Sequence, residues 1–242
     1  MHTTKPSGTD TSSQAIACER LNRSKSYFLA QAVHDLRQPL QTQRIYLQVL
    51  KDTPLSPHQQ ELVDKASQAL EDMQHLMDNY LDLSRLDYGG VKFEPDYFQL
   101  QDLTDKLAAE FAVIAGAQGF KFSYIRCTQT IFTDKILLER MLRNLLSNAF
   151  KYGRSKVVFG CKRRGEGIQI IVLDNGNGIN KEDIPYIFDE FYQSAHLLPQ
   201  HKSGSGLGLS IVKKIADILH TSINIKTEKG KGTSFSFMLY NN

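Results

Sequence analysis

"RNLLSNAFKYG", residues 143–153, decides how this chain is read. It closes a helical pattern over about 135–152. Asn144 and Asn148 stand four apart, so they share one helix face, and Lys151 falls nearly on the same face. Amide oxygens can ligate Mg²⁺, and a lysine can meet phosphates. The same spacing also suits a solvated polar face.

Three further stretches follow. "LDNGNGI", 173–179, ends a strand in Asp174 and then turns at Gly176 and Gly178. Glycines there let backbone approach a ligand closely, and a carboxylate can accept from an exocyclic amine such as adenine's. An ordinary Asn-Gly turn has the same pattern. "SGSGLGLSIVKKIA", 203–216, runs through Gly204, Gly206, Leu207 and Gly208 into an amphipathic helix. A helix N-terminus behind a glycine loop favours anions such as a triphosphate, although a hinge and cap would look alike. "GKGTSFSF", 230–237, reads as a β-turn feeding a last strand. Neither GxxxxGK[ST] nor GxGxxG occurs, so those two nucleotide-binding folds are not offered.

Around these motifs, "KFSYIRC", "KVVFGCK", "IQIIVLD", "SINIKTE" and "TSFSFML" are rich in β-branched and aromatic residues and read as strands. Helical patterns lie between them at about 101–115, 135–152 and 207–220. The expectation is a two-layer α/β sandwich with a mixed sheet over 89–242. The turn-rich stretch 192–206 is a long loop of the kind that often serves as a lid.

The texture before Gly90 is different. Residues 1–19 are polar and read as a disordered or linker N-terminus. From 20 to about 52, Phe28, Ala32, Leu36, Leu40, Leu47 and Leu50 keep mainly to one stripe. "TPLSP", 53–57, is a turn. Leu62, Ala66, Ala69, Met73, Leu76, Tyr80 and Leu83 then repeat in alternating steps of four and three, the seam of a hairpin or bundle. A lone two-helix hairpin over 20–88 buries little, so pairing with a second copy into a four-helix bundle is expected. "DYGG", 87–90, reads as a hinge.

Composition removes other classes. Lys plus Arg is 29 against 26 for Asp plus Glu, a net charge of +3 that is too mild to argue for nucleic acid. No apolar run approaches ~18 residues, so no membrane span is read, and the first 20 residues lack a signal-peptide core. A sensing part, if the protein senses across a membrane, would be missing or belong to a sensor protein. Cys18, Cys127 and Cys161 have no metal-like spacing, and the expectation is a reducing, cytoplasmic setting without a disulfide framework.

In this order, the motifs resemble those of sensor histidine kinases, whose ATP-binding domain belongs to the gyrase/chaperone/histidine-kinase superfamily. "NLLSNAFKY" resembles the N box, "DNGNGI" the first glycine box, "IFDEFYQ" the F box, "GSGLGL" the second glycine box and "VHDLRQPL" the histidine-bearing H box. The resemblance covers roughly residues 21–240 and implies a Bergerat-type ATP-binding fold behind a dimeric histidine phosphotransfer bundle. It implies that Asn148 ligates Mg²⁺ with Asn144 beside it, that Lys151 meets the phosphates, and that Tyr152 packs near the base. Asp174 would bind the adenine amine on the turn shaped by Gly176 and Gly178. Phe188 and Phe191 would flank the lid, while Gly204, Gly206, Leu207 and Gly208 close over the phosphates.

His34 alone reads as a solvated surface histidine; beside an ATP domain it reads as the phosphoacceptor. It stands about 200° around the helix from Leu36, so it faces out if Leu36 faces the seam. Neutral imidazole is a competent nucleophile near pH 7. Asp35 can orient the ring and take up positive charge. Arg37 reads as a surface cation that could also contact phosphate. Pro39 removes an amide donor and should bend the helix. The implied reaction is ATP- and Mg²⁺-dependent phosphorylation of His34, then transfer to an aspartate of a response-regulator receiver domain. No receiver sequence follows residue 240, so that partner is expected to be separate. Relatives that also dephosphorylate their partner commonly carry Thr or Asn four residues after the histidine, to position a water. Gln38 stands there with a longer arm, which puts phosphatase activity in doubt. A silent ATP-binding adaptor would show damaged motifs or a lost histidine, and neither is seen.

Overall fold

The computed structural model describes residues 31–33, 35–87, 91–195 and 204–240. His34, most of the expected 87–90 hinge and part of the 192–206 loop lie outside the described residues. The chain divides into two compact units, Met1–Val91 and Lys92–Asn242.

The first unit is a helical hairpin. Helix α1 (residues 35–51) runs unbroken through Pro39. Helix α2 (Pro57–Asp87) starts at a proline, whose missing N–H costs nothing in a first turn. Ser56 and Gln59 close a capping box there: the Gln59 Oε1 accepts from the Ser56 backbone N–H at 2.9 Å, and the Ser56 Oγ accepts from the Gln59 N–H at 3.4 Å. Two ion pairs fix the antiparallel register, Arg37 with Asp78 at 2.6 Å and Lys51 with Asp64 at 2.9 Å. In both, the two residue numbers total the same value, so the helices keep one register over their length.

Of the stripe that the alternating repeat suggests, only its last member, Leu83, is buried, and up to Tyr80 the hairpin closes elsewhere. Val63 and Leu81 are buried, and Ser67, Leu70, Gln74 and Met77 between them are half-buried. That stripe lies one residue later than Leu62, Met73, Leu76 and Tyr80, which stay exposed within one chain, Leu62 by 52% and Leu76 by 43%. An α-helix turns 100° per residue, so α2 carries two adjacent apolar stripes, one turned to α1 and one left outward.

The second unit has the two-layer design expected of its sequence. Its elements are β1 (Asp96–Gln99), α3 (Leu100–Gln118), β2 (Lys121–Ile125), β3 (Thr130–Thr133), α4 (Lys135–Tyr152), β4 (Lys156–Arg164), β5 (Gly167–Asp174), α5 (Gly208–Ile218), β6 (Asn224–Glu228) and β7 (Gly232–Tyr240). Five strands form a sheet of order β2-β4-β5-β7-β6, parallel between β2 and β4 and antiparallel elsewhere. Strand β5 alternates buried and half-buried positions, as a strand with one face on a core does. Leu103, Leu107, Leu138, Leu142, Ile211 and Ile215 from the three helices are fully buried with Phe159 of β4 and Phe237 of β7. Phe150 near the end of α4 gathers the rings of Phe111, Phe120 and Phe122 at 5.2–5.6 Å between centroids. Asp134 caps α4 by accepting from the Ile136 and Leu137 N–H groups at 2.9 and 3.0 Å.

Two features depart from expectation. Strands β1 and β3 pair as a separate two-stranded sheet; each has only four residues, too few for alternation to register. Cys127 and Cys161, expected as free thiols, are paired. Parallel pairing of β2 with β4 sets Ile125 opposite Gly160, which carries Cys127 to the level of Cys161 although 34 residues separate them. Among the described residues, no helix is long and apolar enough to cross a membrane.

Candidate nucleotide site

Where β5 ends, the sheet opens into a cavity of about 400 Å³ in the second unit. Asp174, the last residue of β5, is 7% exposed and lines it. Its Oδ1 accepts the Gly176 backbone N–H at 2.7 Å. Burial pushes the Asp174 carboxyl above the ordinary carboxylate range, against the opposing pull of the Gly176 and Thr233 amides. Gly176 is required by space: a Cβ there would stand 2.0 Å from the Tyr152 carbonyl oxygen. Asn175 pins the turn from outside, its Oδ1 accepting from the Ser155 and Lys156 N–H groups at 3.1 and 2.8 Å.

The "GKGTSFSF" turn is part of this site. The Gly230 N–H donates to the Asn177 carbonyl at 2.7 Å, and the Thr227 hydroxyl accepts the Ile179 N–H at 2.8 Å. Lys229, Gly230, Thr233 and Phe235 line the cavity with Gly178 and Ile179. The glycine turn and the β6–β7 turn thus form one wall.

Helix α4 forms another. Asn148, Ala149 and Tyr152 line the cavity, and burial raises the Tyr152 phenol. Asn144 bonds back to the Arg140 carbonyl through Nδ2 at 3.0 Å. Its Oδ1 is turned to the start of α5, where a Cβ on Gly208 would stand 3.2 Å away, with the Asn148 amide atoms at 3.7 and 3.8 Å. The Lys151 Nζ lies 5.3 Å from the Tyr152 ring centroid and against Gly204. The two asparagines and the lysine of α4 therefore meet the 204–208 glycine stretch, 53 to 64 residues on in sequence. Leu207 is fully buried, so its side chain anchors α5 and faces no ligand.

The F-box phenylalanines stand differently. Phe188 is half-buried, Phe191 is exposed, and neither lines the cavity. Phe191 instead adopts a positive φ of 61°, and its backbone packs on Gly206 so closely that a Cβ there would lie 2.6 Å from the Phe191 carbonyl carbon. In the hairpin, Asp35 and Gln38 are exposed, and Asp35 accepts from Gln31 Nε2 at 2.9 Å. Arg37, read as a surface cation, pairs with Asp78. His34 lies outside the described residues.

A group of residues escaped the sequence reading. Asp183, buried at 7% exposure, accepts from the Tyr192 hydroxyl at 2.7 Å, the Ser194 hydroxyl at 2.6 Å and Asn180 Nδ2 at 3.3 Å. The Asp183 carboxylate beside it pushes the Tyr192 phenol up to about 12. All four residues line the cavity. Tyr192 and Ser194 stand nine and eleven residues beyond Asp183 on an irregular segment, so no helix or strand links them in the sequence; the one local signal was the polar Tyr-Gln-Ser run at the end of the F box.

Comparison with known proteins agrees with this arrangement. Residues 24–89 match the His Kinase A (phospho-acceptor) domain, and residues 133–241 match the histidine kinase-, DNA gyrase B- and HSP90-like ATPase family. The chain is 30% identical over 229 residues to the autoinducer 2 sensor kinase/phosphatase LuxQ of Vibrio cholerae, covering 91% of this chain and 27% of that protein. It is 27% identical over 225 residues to the sensor protein SrrB of Staphylococcus aureus, covering 90% of this chain and 38% of that one. The chain thus spans well under half the length of these curated relatives. Among solved structures, full-length ShkA in complex with AMPPNP shares the fold with a TM-score of 0.71 at 22% identity, over 88% of this chain and 45% of that one. The Acinetobacter baumannii histidine kinase AdeS matches with a TM-score of 0.60 at 21% identity, over 86% and 98%. With both domain families matched in order over more than half of its length, the chain belongs to the histidine kinases and is a transmitter region of that family.

Proposed function

We propose that this chain is an ATP-dependent protein-histidine kinase that phosphorylates His34 and passes the phosphoryl group to an aspartate of a response-regulator receiver domain. The observation that carries the reading is one cavity lined by Asp174, Gly178 and Asn148, beside which the α4 asparagines and Lys151 meet the 204–208 glycines. A buried carboxylate at one wall suits an adenine amine. Backbone kept bare of Cβ atoms suits a flat base and a phosphate chain at close range. At the start of α5, helix-terminal N–H groups and Lys151 supply the positive character that phosphates need.

Asn148, with Asn144 beside it, would hold Mg²⁺ through amide oxygens; the ion takes oxygen ligands and usually shares its shell with substrate phosphates. Bound there, it would neutralise phosphate charge. The transfer itself is substitution at the γ-phosphorus. A ring nitrogen of His34 forms a P–N bond, the bond from phosphorus to the bridging oxygen breaks, and ADP leaves with that electron pair. Asp35 stabilises the imidazolium and takes its proton. Phosphohistidine then donates to the receiver carboxylate, restoring the free imidazole. The exposed stripe of Leu62, Met73, Leu76 and Tyr80 supports pairing with a second copy. A reaction that consumes ATP suits a cytoplasmic setting, which is part of the proposal. The Vibrio relative is named a kinase/phosphatase; with Gln38 four residues after His34, only the kinase reaction is proposed here.

The deciding experiment incubates the protein with Mg²⁺ and γ-labelled ATP beside His34→Gln and Asn148→Ala. Acid-labile, alkali-stable label on the wild type, absent from both variants, is the expected result. Label that persists on His34→Gln removes His34 as the acceptor.

A further inference from the structure

Tyr192 and Gln193, which close the F-box stretch, and Ser194 after them are held by side-chain hydrogen bonds, two of them to Asp183, which no nucleotide motif includes. Asp183 uses both carboxylate oxygens, Oδ1 for the Tyr192 hydroxyl at 2.7 Å and Oδ2 for the Ser194 hydroxyl at 2.6 Å. Between those two residues, Gln193 donates from Nε2 to the Gly204 carbonyl. Tyr192 is steadied on its other side by the ring of Tyr186, 5.8 Å away between centroids. The wall thus has two ties, one back to the buried Asp183 and one across to the glycine stretch.

The position of this wall says which part of a ligand it would serve. Gly204, which Gln193 holds, is also the glycine against which the Lys151 Nζ rests. Gln193, which lines the cavity, thus links residues 192–194 to the glycine beside Lys151, the side on which a phosphate chain would lie, and Asp174 serves the base. Charged acceptors hold hydroxyls more firmly than neutral ones do, so a buried carboxylate suits the task of fixing a wall before a ligand arrives.

We infer that Asp183 is a positioning residue for the phosphate portion of the nucleotide, acting through Tyr192 and Ser194. The inference rests on the reading of this cavity as a nucleotide site. Pre-organised walls raise affinity because less ordering remains to be done on binding. The nucleotide phosphates should thus depend on Asp183, and the base should not.

The test is calorimetric titration of the whole chain with two probes, adenosine and the non-hydrolysable triphosphate AMPPNP with Mg²⁺. It compares wild type, Asp183→Asn, Tyr192→Phe, Ser194→Ala and Asp174→Asn. Asp183→Asn should weaken AMPPNP about tenfold, the scale of one charge-assisted hydrogen bond, and adenosine by less than about twofold. Tyr192→Phe and Ser194→Ala remove one tie each and should each give part of that selective loss, which keeps the test valid if Asp183→Asn fails to fold. Asp174→Asn should weaken both probes. If the wild type binds neither probe, or Asp174→Asn changes neither, the nucleotide reading of the cavity fails. If Asp174→Asn behaves as expected while the other variants change both probes equally or neither, the positioning role of Asp183 is overturned and the cavity reading stands.

Discussion

Asp174 Oδ1 accepts the Gly176 N–H at 2.7 Å and so folds the end of β5 back on itself. This short turn, in which an aspartate accepts from the backbone two residues on, places a buried carboxylate and a bare stretch of backbone at the same wall. The space under Gly176 is taken by the Tyr152 carbonyl, so the turn and the end of α4 are built against each other.

Gly176→Ala should therefore damage the site through the backbone. Its Cβ would meet the Tyr152 oxygen at 2.0 Å and Asp174 Oδ1 at 2.8 Å. The first neighbour is backbone and cannot swing aside. A stability loss of about 1–3 kcal/mol is expected from overpacking, with at least a tenfold loss of nucleotide affinity. Denaturant unfolding and calorimetric titration with AMPPNP check both.

Adenosine binding should depend on pH through Asp174. Burial raises its carboxyl in the free protein, so its contribution to stability is full below the ordinary unfolded value and is lost as pH rises through the raised folded value. A bound amine reverses the preference, because it donates to the ionised carboxylate and draws its pKa down. Affinity should rise with pH, by up to about tenfold per unit, until the raised value is passed, and then level off. Asp174→Asn should bind weakly with a flat profile. A wild-type profile as flat as that of the variant would remove Asp174 as the amine acceptor.

The Arg37–Asp78 pair ties α1 to α2, three residues after His34 in the sequence. Both side chains are more than a third exposed, 37% and 46%, so solvent screening limits the value of the pair. Asp78→Asn should cost no more than about 1 kcal/mol of stability, and less at high salt. The charge-reversed double variant Arg37→Asp with Asp78→Arg should recover most of the loss. Urea midpoints at low and high salt measure this; a loss of several kcal/mol would show the tie to be part of a larger network.

The outward stripe on α2 predicts self-association. Leu76→Lys places a charge between Met73 and Tyr80 on the exposed side and leaves the Val63–Leu81 stripe untouched. In sedimentation equilibrium the wild type should be a dimer, and Leu76→Lys should shift it toward monomer. The second unit should keep its adenosine affinity. A monomeric wild type would show that this stripe meets something other than a second copy.

What the sequence alone determined about this chain is what repeats or clusters locally. The five strands of the main sheet and all three helices of the second unit were legible, because each has enough residues for its period or its β-branched content to register. Two parts of the candidate site were legible as short motifs, Asp174 with its turn and the 204–208 glycine stretch that leads into α5. Tertiary structure alone decided the rest. It chose which of two stripes on α2 closes the hairpin, since a shift of one residue turns a helix by only 100°. Pairing β2 with β4 brought Cys127 to Cys161, and folding the F-box segment back set Tyr192 and Ser194 on Asp183. Those contacts depend on chain reversals and strand register, which place side chains 9 to 34 residues apart at one point and leave no period in the sequence to read.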